Sequence, residues 1–465
     1  MTAELGAWSA LPSVIIVAWT FATKRILEAL TIGTLVGLVM VSATPAAALA
    51  EYPKVLQKAL MSEDIAWLIV VCGLMGSLIT LLRVSGGALA FGNWVAQRVK
   101  SARSALGWSW LLGCVIFIDD YLNSMTVGSS MARVTDRYRV PREMLAYVAD
   151  STAAPLCVIV PFTTWAAFAG RVIQRSGWTE PGLSELDIFC KTSPYNLYGW
   201  LAALVVPLVI WGVIPHLGGM RSAYKRVEAG GPLAPEGSER ISLLPDDKGE
   251  KAEELKSGKK PRLWNFLLPI AVLIGATIVF DNDLAKGVLT ALPFTYLLFI
   301  CQRVVSPRDA WDAIVEGFRD LILPLMLMVF AFVFADVNER LGFVKWAISA
   351  GDSFMTAATA PAIVFIILAI TEFVTGTNWG MYVIALPIVI PLARTLHVDL
   401  PLMVAACLSA GVFGSHVSFC SDATVITSAA CGCDNYRHAI TQLPYGLLAA
   451  AFSLIGFLIL GFCMA

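Results

Sequence analysis

Long apolar segments recur along the chain and are separated by short segments that carry most of the charged residues. A helix needs about 20 apolar residues to cross a bilayer, and many of these segments have or approach that length. They lie near residues 8–22, 26–42, 64–82, 105–118, 144–172, 196–214, 264–280, 284–301, 319–336, 361–393, 402–430 and 444–464. The pattern predicts an all-α polytopic membrane protein.

The Lys and Arg residues of the short loops predict how these helices are oriented, because basic loops tend to remain in the cytoplasm. Lys24 and Arg25 place the first loop inside, and the basic clusters at 98–103 and 133–142 lie inside as well. A stretch between two inside loops must enter the membrane and return. We therefore predict a re-entrant hairpin at about 105–131, with a polar tip between two apolar arms, since irregular backbone at membrane depth needs protein or water around it.

The same reasoning predicts a second hairpin, at about 361–393, that enters from the opposite side. Residues 1–216 and 263–465 then each contain five crossings and one hairpin, and they begin on opposite sides of the membrane. Such an inverted-topology repeat, with about ten crossing helices in all, is common in secondary transporters. The intervening residues 217–262 carry 10 Lys/Arg and 8 Asp/Glu, which predicts a solvated cytoplasmic linker.

Short similarities between the halves support the predicted repeat. The segment from Asp120 to Gly128 is echoed by Glu372 to Gly380, and Asp150 to Thr152 is echoed by Ser421 to Thr424. Both pairs occur in the same order in the two halves.

Composition excludes several classes of protein. Hydrophobic residues make up 57% and charged residues 14% of the 465 residues, and the mean hydropathy is +0.73. So few charges do not cover a soluble globule of this size, which excludes a cytosolic enzyme and a disordered scaffold. The net charge of -1 gives no field that would attract nucleic acid. We expect the lipid bilayer as the partner, in the inner (plasma) membrane of a prokaryote.

The ten cysteines mostly lie in apolar runs, where Cys behaves as a small hydrophobic residue. Cys431 and Cys433, with His438 nearby, do not match a zinc-binding spacing. No Walker A pattern is present, so ATP-driven pumping is not expected. We predict no cofactor.

Polar residues within the apolar runs are the candidate site, because ionisable groups are costly in hydrocarbon and usually functional there. In the first hairpin, two adjacent carboxylates can bind a hard cation or carry a proton; alternatively, one caps a half-helix and the other pairs with an Arg such as Arg133. The polar residues of this hairpin are Asp119, Asp120, Asn123 and Thr126.

Three further clusters follow the same logic. Pro155 and Pro161 are expected to disturb a helix that carries Asp150, Ser151 and Thr152. The second hairpin and the run after Gly411 supply Thr375, Thr377, Asn378, Ser418, Ser421, Asp422 and Thr424. Glu372 is either a proton carrier or the partner of a basic group, and His416 is either structural or a proton carrier.

Together these clusters provide oxygen ligands, which suit Na⁺ or H⁺ better than a soft metal. We expect Na⁺ at Asp150 and Asp422, one from each half. Asp119, Asp120, Glu372 and His416 are the candidate proton carriers. If each carboxylate binds either Na⁺ or H⁺, that competition alone enforces exchange.

At these residues the chain resembles the NhaC family of sodium/proton antiporters, within the wider ion transporter superfamily. The resemblance covers nearly the whole chain and is most specific in Phe117 to Asn123 with Thr126 to Gly128, Leu145 to Pro155, Gly376 to Gly380, Phe413 and Gly414 with Ser421 to Thr424, and Thr441 to Tyr445. It implies inverted repeats with two re-entrant hairpins, a homodimer, elevator-like motion and exchange of Na⁺ for H⁺. The site residues that it implies are Asp119, Asp120, Asn123, Asp150, Ser151, Thr152, Thr377, Asn378, Ser421, Asp422 and Thr424. The chain departs from the family pattern at Glu372, Ser415 and Phe419.

These departures leave a second transporter hypothesis open, a Na⁺- or H⁺-coupled carrier of a small organic solute such as an amino acid or carboxylate. A channel and an intramembrane enzyme with an Asp119-Asp120 dyad are weaker alternatives, since cleavage dyads usually come from separate segments. We therefore predict a secondary active transporter and not an enzyme.

Overall fold

The computed structural model describes residues 5–23, 25–42, 44–87, 90–91, 94, 97–117, 120–161, 163–180, 182–242, 244, 262–280, 283–320, 322–343, 346, 349, 355–376 and 378–464. Every regular element in these ranges is a helix, which confirms the predicted all-α class. In the first half the α-helices are α1 (Leu11–Thr23), α2 (Ile26–Val41), α3 (Pro45–Leu60), α4 (Glu63–Val84), α5 (Ala102–Val115), α6 (Asp120–Arg137), α7 (Arg142–Ser151), α8 (Ala154–Cys157), α9 (Thr164–Arg175), α10 (Glu185–Thr192) and α11 (Leu197–Ile210).

The linker contributes α12 (Gly218–Glu228), and a further series of helices follows in the second half. These are α13 (Trp264–Val279), α14 (Leu284–Cys301), α15 (Pro307–Asp320), α16 (Ile322–Leu341), α17 (Ala360–Thr375), α18 (Asn378–Thr395), α19 (Leu400–Val417), α20 (Asp422–Cys431) and α21 (Asn435–Met464). Short 3₁₀ turns occur at Gly6–Ala10, Ser193–Tyr195 and Ser238–Arg240.

Three described segments are each long and apolar enough to cross a membrane: Ile65–Val84, Leu400–Cys431 and Asn435–Met464. Glu185–Tyr195 and Leu197–Ile210 add a fourth if this pair, bent by 56°, forms one span. Leu400–Cys431 is 89% buried within the protein, so it lies at the centre of the bundle. The chain is an integral membrane protein; the count of about ten crossings stays a prediction.

Both stretches predicted as hairpins are interrupted near their middle. In the first, α5 ends at Val115 and α6 begins at Asp120. In the second, α17 ends at Thr375 and Gly376 adopts a left-handed φ of 69°, which an L side chain rarely adopts. Neither stretch is a continuous rod, and whether the arms return to the same side stays a prediction.

Two more interruptions lie opposite these breaks. The helix predicted to be disturbed by Pro155 and Pro161 is divided into α7, α8 and α9, and a gap at 418–421 separates α19 from α20. The Cys157 thiol lies 3.4 Å from the carbonyl oxygen of Phe117, so the first pair of breaks is in contact. A Cβ atom on Gly376 would come within 2.8 Å of Cys420 backbone, so the second pair is in contact as well.

The described part of the linker, residues 218–242, is packed along one side of α12 and exposed along the other, so the predicted solvated linker stays a prediction. Met220, Ala223 and Val227 are buried, and their spacing forms one apolar stripe on α12. The charge-rich composition of the whole linker concealed this stripe. Residues 245–261 lie outside the described part, and the boundaries of the two halves stay predictions.

Candidate functional site

Asp150, the penultimate residue of α7, is fully buried among residues of the second half. Gln442 Nε2 donates to its Oδ2 at 2.8 Å, and His438 Nε2 lies 3.1 Å from the same oxygen. Thr427 Oγ1 lies 3.5 Å from Oδ1. The carboxylate of one half is therefore held by a hydroxyl, an imidazole and an amide of the other half.

Thr427 connects this carboxylate to α6. Its Oγ1 lies 2.7 Å from Ser124 Oγ, and both side chains are buried. Ser124, Thr427 and Asp150 thus form a continuous polar path through three helices in an otherwise apolar core.

His416 binds two hydroxyl groups. Its Nε2 lies 2.8 Å from Ser151 Oγ, and its Nδ1 lies 2.7 Å from the hydroxyl of Tyr198. Gln442 also donates to the His416 carbonyl oxygen. A neutral imidazole, with one donor and one acceptor nitrogen, satisfies both hydroxyls. An imidazolium, with two donor nitrogens, satisfies them as well, so both roles considered for His416 stay predictions.

Asp422 begins α20 and is 4% exposed. The hydroxyl of Tyr121 donates to its Oδ2 at 2.6 Å, and the amide of Ala423 donates to its Oδ1 at 2.8 Å. Ser421 Oγ lies 3.4 Å from Oδ1. The amide end of a helix carries partial positive charge, so this position stabilises a carboxylate.

The helices α6 and α20 pack in parallel, so their first residues lie at the same end. Tyr121 contacts Asp422 and Ser124 contacts Thr427. Asp120, the buried first residue of α6, therefore lies at the same end of the pair as Asp422. Asp119 lies outside the described residues.

Asn123 joins the first broken stretch to the end of α7. Its Nδ2 donates to the carbonyl oxygens of Gly113, at 2.7 Å, and Thr152, at 2.6 Å. Thr152 Oγ1 donates to carbonyls of its own helix and so contributes its backbone here. Within the described part of the chain, the buried Asn123 Oδ1, Thr126 Oγ1 and Ser415 Oγ have no hydrogen-bond partner. Such oxygens are rare in a packed core and suit a ligand.

The predicted residues of the second stretch lie beside the break between α19 and α20. Thr375 Oγ1 bonds to the carbonyl of Thr371 and lies 3.4 Å from Glu372 Oε2. A Cβ atom on Gly414 would come within 2.3 Å of Glu372 Cγ, so the fully buried Glu372 packs directly against α19. Asn378 begins α18, and Thr377 lies outside the described residues.

Ser418 and Thr424 stabilise the break between α19 and α20. Ser418 Oγ donates to the carbonyl of Phe373 at 2.7 Å, which ties the break to α17. Thr424 Oγ1 donates to the carbonyl of Ser415 at 3.1 Å, which ties α20 to α19. Both hydroxyl hydrogens are thus engaged with backbone, whereas the oxygens can still accept or coordinate.

The sequence analysis missed several residues that complete the site. They are Tyr121, Ser124, Tyr198, Thr427, His438 and Gln442. One signal is present in the sequence: His438 and Gln442 are four residues apart, a spacing that places both on the same side of a helix. From the sequence, His438 is considered only as a possible metal ligand together with Cys431 and Cys433. In the described residues, no three His, Cys, Asp or Glu side chains converge as metal ligands.

The sequence of this chain matches a known protein family and is similar to two bacterial proteins. The model of the Na⁺/H⁺ antiporter family matches residues 156–462. An uncharacterized protein of Haemophilus influenzae is 28% identical over 500 positions, which cover 98% of this chain and 91% of that protein. The malate-2H⁺/Na⁺-lactate antiporter of Bacillus subtilis is 25% identical over 211 residues, 45% of either chain.

One solved structure aligns over most of the chain. It is MtrF of Neisseria gonorrhoeae, described as illuminating a class of antimetabolite efflux pumps, and the alignment covers 98% of this chain and 96% of that one. Sequence identity is 15% and the TM-score is 0.41, too low for any conclusion to rest on it.

Proposed function

This chain belongs to the Na⁺/H⁺ antiporter family, and we propose that it exchanges Na⁺ for H⁺ by alternating access. The broader class, a secondary transporter in a membrane, follows from the family. The choice of ions and the mechanism are our proposal.

The observation that carries the proposal is the buried Asp150 and its partners. A carboxylate out of contact with water is costly unless it is paired, protonated or bound to a cation. Here it lies 3.1 Å from His438 and 3.5 Å from the hydroxyl oxygen of Thr427, which in turn lies 2.7 Å from that of Ser124. The same carboxylate can therefore hold Na⁺ among oxygen ligands or a proton next to an imidazole.

Asp422 is the second proposed cation ligand. It is contributed by the other half, is nearly buried, and accepts hydrogen bonds from Tyr121 and Ala423. Asp120 lies at the same end of the α6–α20 pair, so it is a proton carrier that can act on the same ion. Glu372 and Asp119 remain proposed carriers.

Reciprocal packing supports the proposed inverted repeat. Helix α16 of the second half packs against α2 and α3, and α4 of the first half packs against the corresponding α14 and α15. An ion pair accompanies each contact: Arg340 with Glu51 at 2.6 Å, and Arg83 with Glu316 at 3.2 Å. Each half therefore packs one helix against the corresponding helices of the other half.

A second parallel helix pair supports the same repeat. Trp165 of α9 contacts Tyr382 of α18 with ring centroids 6.2 Å apart, and Arg394 beyond it donates to the carbonyl of Gly177. The α9–α18 pair therefore mirrors α6–α20. We propose that these broken segments move together, elevator-like, against the helices α1–α4 and α13–α16, in a homodimer in the inner membrane of a prokaryote.

A carrier of a small organic solute is the second candidate. The Bacillus subtilis relative exchanges malate and lactate with coupled ions, as its name states. Its match covers less than half of either chain, so the similarity makes carboxylates the first solutes to test.

The proposal is tested in proteoliposomes by imposing a pH jump with and without Na⁺. Wild type is expected to show Na⁺-dependent proton movement, and Asp150→Asn is expected to lose it. Asp312→Asn removes an exposed carboxylate of α15 and serves as the matched control. Normal exchange by Asp150→Asn would show that the site is wrongly assigned. Proton movement that requires added malate or lactate would favour the organic-solute carrier.

A further inference from the structure

The linker between the two halves lies across the ends of the helices that carry the proposed site. Its residues 218–242 contact the start of α7, which carries Asp150, and the corner between α20 and α21, which carries Thr427 and His438. The contacts are specific and largely polar, unlike those of a loosely tethered loop.

The first contact is a two-pronged ion pair with α7. Arg226 Nη1 and Nη2 donate to the two carboxylate oxygens of Glu143 at 2.8 and 2.9 Å. Glu143 is 1% exposed, and the hydrogen bonds that Arg226 donates to it raise the pKa of the Arg226 guanidinium. The backbone amide of Arg142 also donates to the linker carbonyl of Leu233 at 3.1 Å.

The second contact is with the α20–α21 corner. The amide of Asp434 donates to Ser238 Oγ at 2.9 Å. A Cβ atom on Gly432 would come within 2.8 Å of Ser242 Oγ, so the linker lies directly on the corner. Arg142 closes the arrangement, because its Nη1 donates to the carbonyl of Cys431 at 2.8 Å.

These anchors are close to the site along each helix. Glu143 precedes Asp150 by seven residues, about 10 Å along an α-helix, and Asp434 precedes His438 by four residues, about 6 Å. A helix is stiff over one or two turns, so the distance between the anchors controls the distance between Asp150 and its partners.

We propose that linker residues 218–242 are a clamp that sets the spacing between Asp150 and the residues Thr427, His438 and Gln442, and that Arg226 and Glu143 are positioning residues for transport. The clamp stays closed during transport, since the contacts given above join the linker only to α7 and to the α20–α21 corner, which belong to the same moving group of helices. This inference rests on the proposed function of Asp150.

The test compares Arg226→Gln with Lys225→Gln. Both changes remove one cation from the same helix, but Lys225 is exposed and outside the ion pair. Two quantities are measured: the Na⁺ concentration that half-saturates exchange, and maleimide labelling of Cys431 and Cys433, both buried beneath the linker. Peptide mass spectrometry reads each cysteine separately, with exposed Cys301 as the internal standard.

Arg226→Gln is expected to increase labelling of Cys433 and to raise the half-saturating Na⁺ concentration about tenfold or more, because small displacements of a site cost large factors in rate and binding. Lys225→Gln is expected to match wild type in both. Glu143→Gln should reproduce the effect, and the double variant should be no worse than either single one, as for two groups that act only through each other. If Arg226→Gln does not fold, Arg226→Lys, which keeps the charge without the fork, is expected to be intermediate.

Increased labelling of Cys433 with an unchanged half-saturating Na⁺ concentration would overturn the clamp. The linker would then cover the α20–α21 corner without controlling the geometry around Asp150. Unchanged labelling would overturn it as well. If wild type shows no Na⁺-driven proton movement, the proposed function fails, and the labelling alone then decides whether Arg226 and Glu143 fix the corner.

Discussion

Tyr121 offers a sharp test of the proposed role of Asp422. Its hydroxyl donates to Asp422 Oδ2 at 2.6 Å, and both side chains are buried. Replacing Tyr121 with Phe removes one oxygen atom and keeps the ring, so packing against neighbours is retained. The change leaves the carboxylate with Ala423 and Ser421 as its hydrogen-bond donors in the described structure.

The size of the effect follows from the charge of the acceptor. A hydrogen bond to a charged group contributes about 1.5–3 kcal/mol, and one between neutral groups about 1 kcal/mol. The Tyr121 hydroxyl therefore favours the ionised Asp422, which binds Na⁺, over the protonated form by about 1.4 kcal/mol, or about tenfold. Without it, protons compete with Na⁺ about ten times more effectively.

The assay is Na⁺-dependent proton movement in proteoliposomes, measured over a range of Na⁺ concentrations at two pH values. At the lower pH, Tyr121→Phe should raise the apparent KM for Na⁺ about tenfold, and the difference should shrink as protons become scarce. Tyr138→Phe is the matched control, because its hydroxyl donates to a neutral carbonyl, that of Val99, just beyond the far end of α6. If both variants have the same KM within a factor of two, Asp422 is not the site of competition.

Two further predictions concern the same bundle. His438→Asn is expected to lower the free energy of unfolding by about 3 kcal/mol and to abolish exchange, because the shorter side chain leaves buried Asp150 without its imidazole partner. Exposed His397→Asn is the control. Equal melting temperatures for the two variants would contradict this prediction. Gly128→Ala is expected to lower the free energy of unfolding by about 1–3 kcal/mol, because the added Cβ would come within 2.8 Å of Ala430. Gly107→Ala is the control, since a Cβ at that position meets no atom within 4 Å and should not destabilise the protein. Thermal unfolding in detergent measures both variants.

The positions of the breaks could be predicted from the sequence because their causes are local. Pro155 lacks an amide hydrogen, and Gly376 adopts a left-handed backbone conformation that most side chains disfavour. Polar residues in apolar runs could be recognised for an equally local reason, the cost of burying them. Asp150 and Asp422 stood out in this way.

The partners of those residues could not be predicted, because they depend on packing between distant segments. Asp150 meets Thr427 and Gln442, which are 277 and 292 positions away along the chain. Apolar periodicity shows which face of a helix is buried, but almost every face of α19 and α20 is buried, so it does not show which neighbour each face meets. The packed side of α12 could not be predicted for the opposite reason, since the many charges of the linker outweighed one short apolar stripe.

The two proposed cation ligands are connected through one helix. Asp422 begins α20 at the level of Tyr121, and Asp150 meets α20 at Thr427, five residues or about 7.5 Å further along. The two carboxylates therefore lie at successive levels of the α6–α20 pair. The hydroxyl of Tyr121 donates to Asp422 directly, whereas Ser124 is connected to Asp150 through Thr427. A displacement of α20 relative to α7 separates Asp150 from Thr427, whereas the contacts given above for Asp422 lie within α6 and the start of α20 and are kept as long as those two helices move together. By fixing the far end of α20 to the start of α7, the proposed clamp keeps the distance between Asp150 and Thr427 constant while these helices move together.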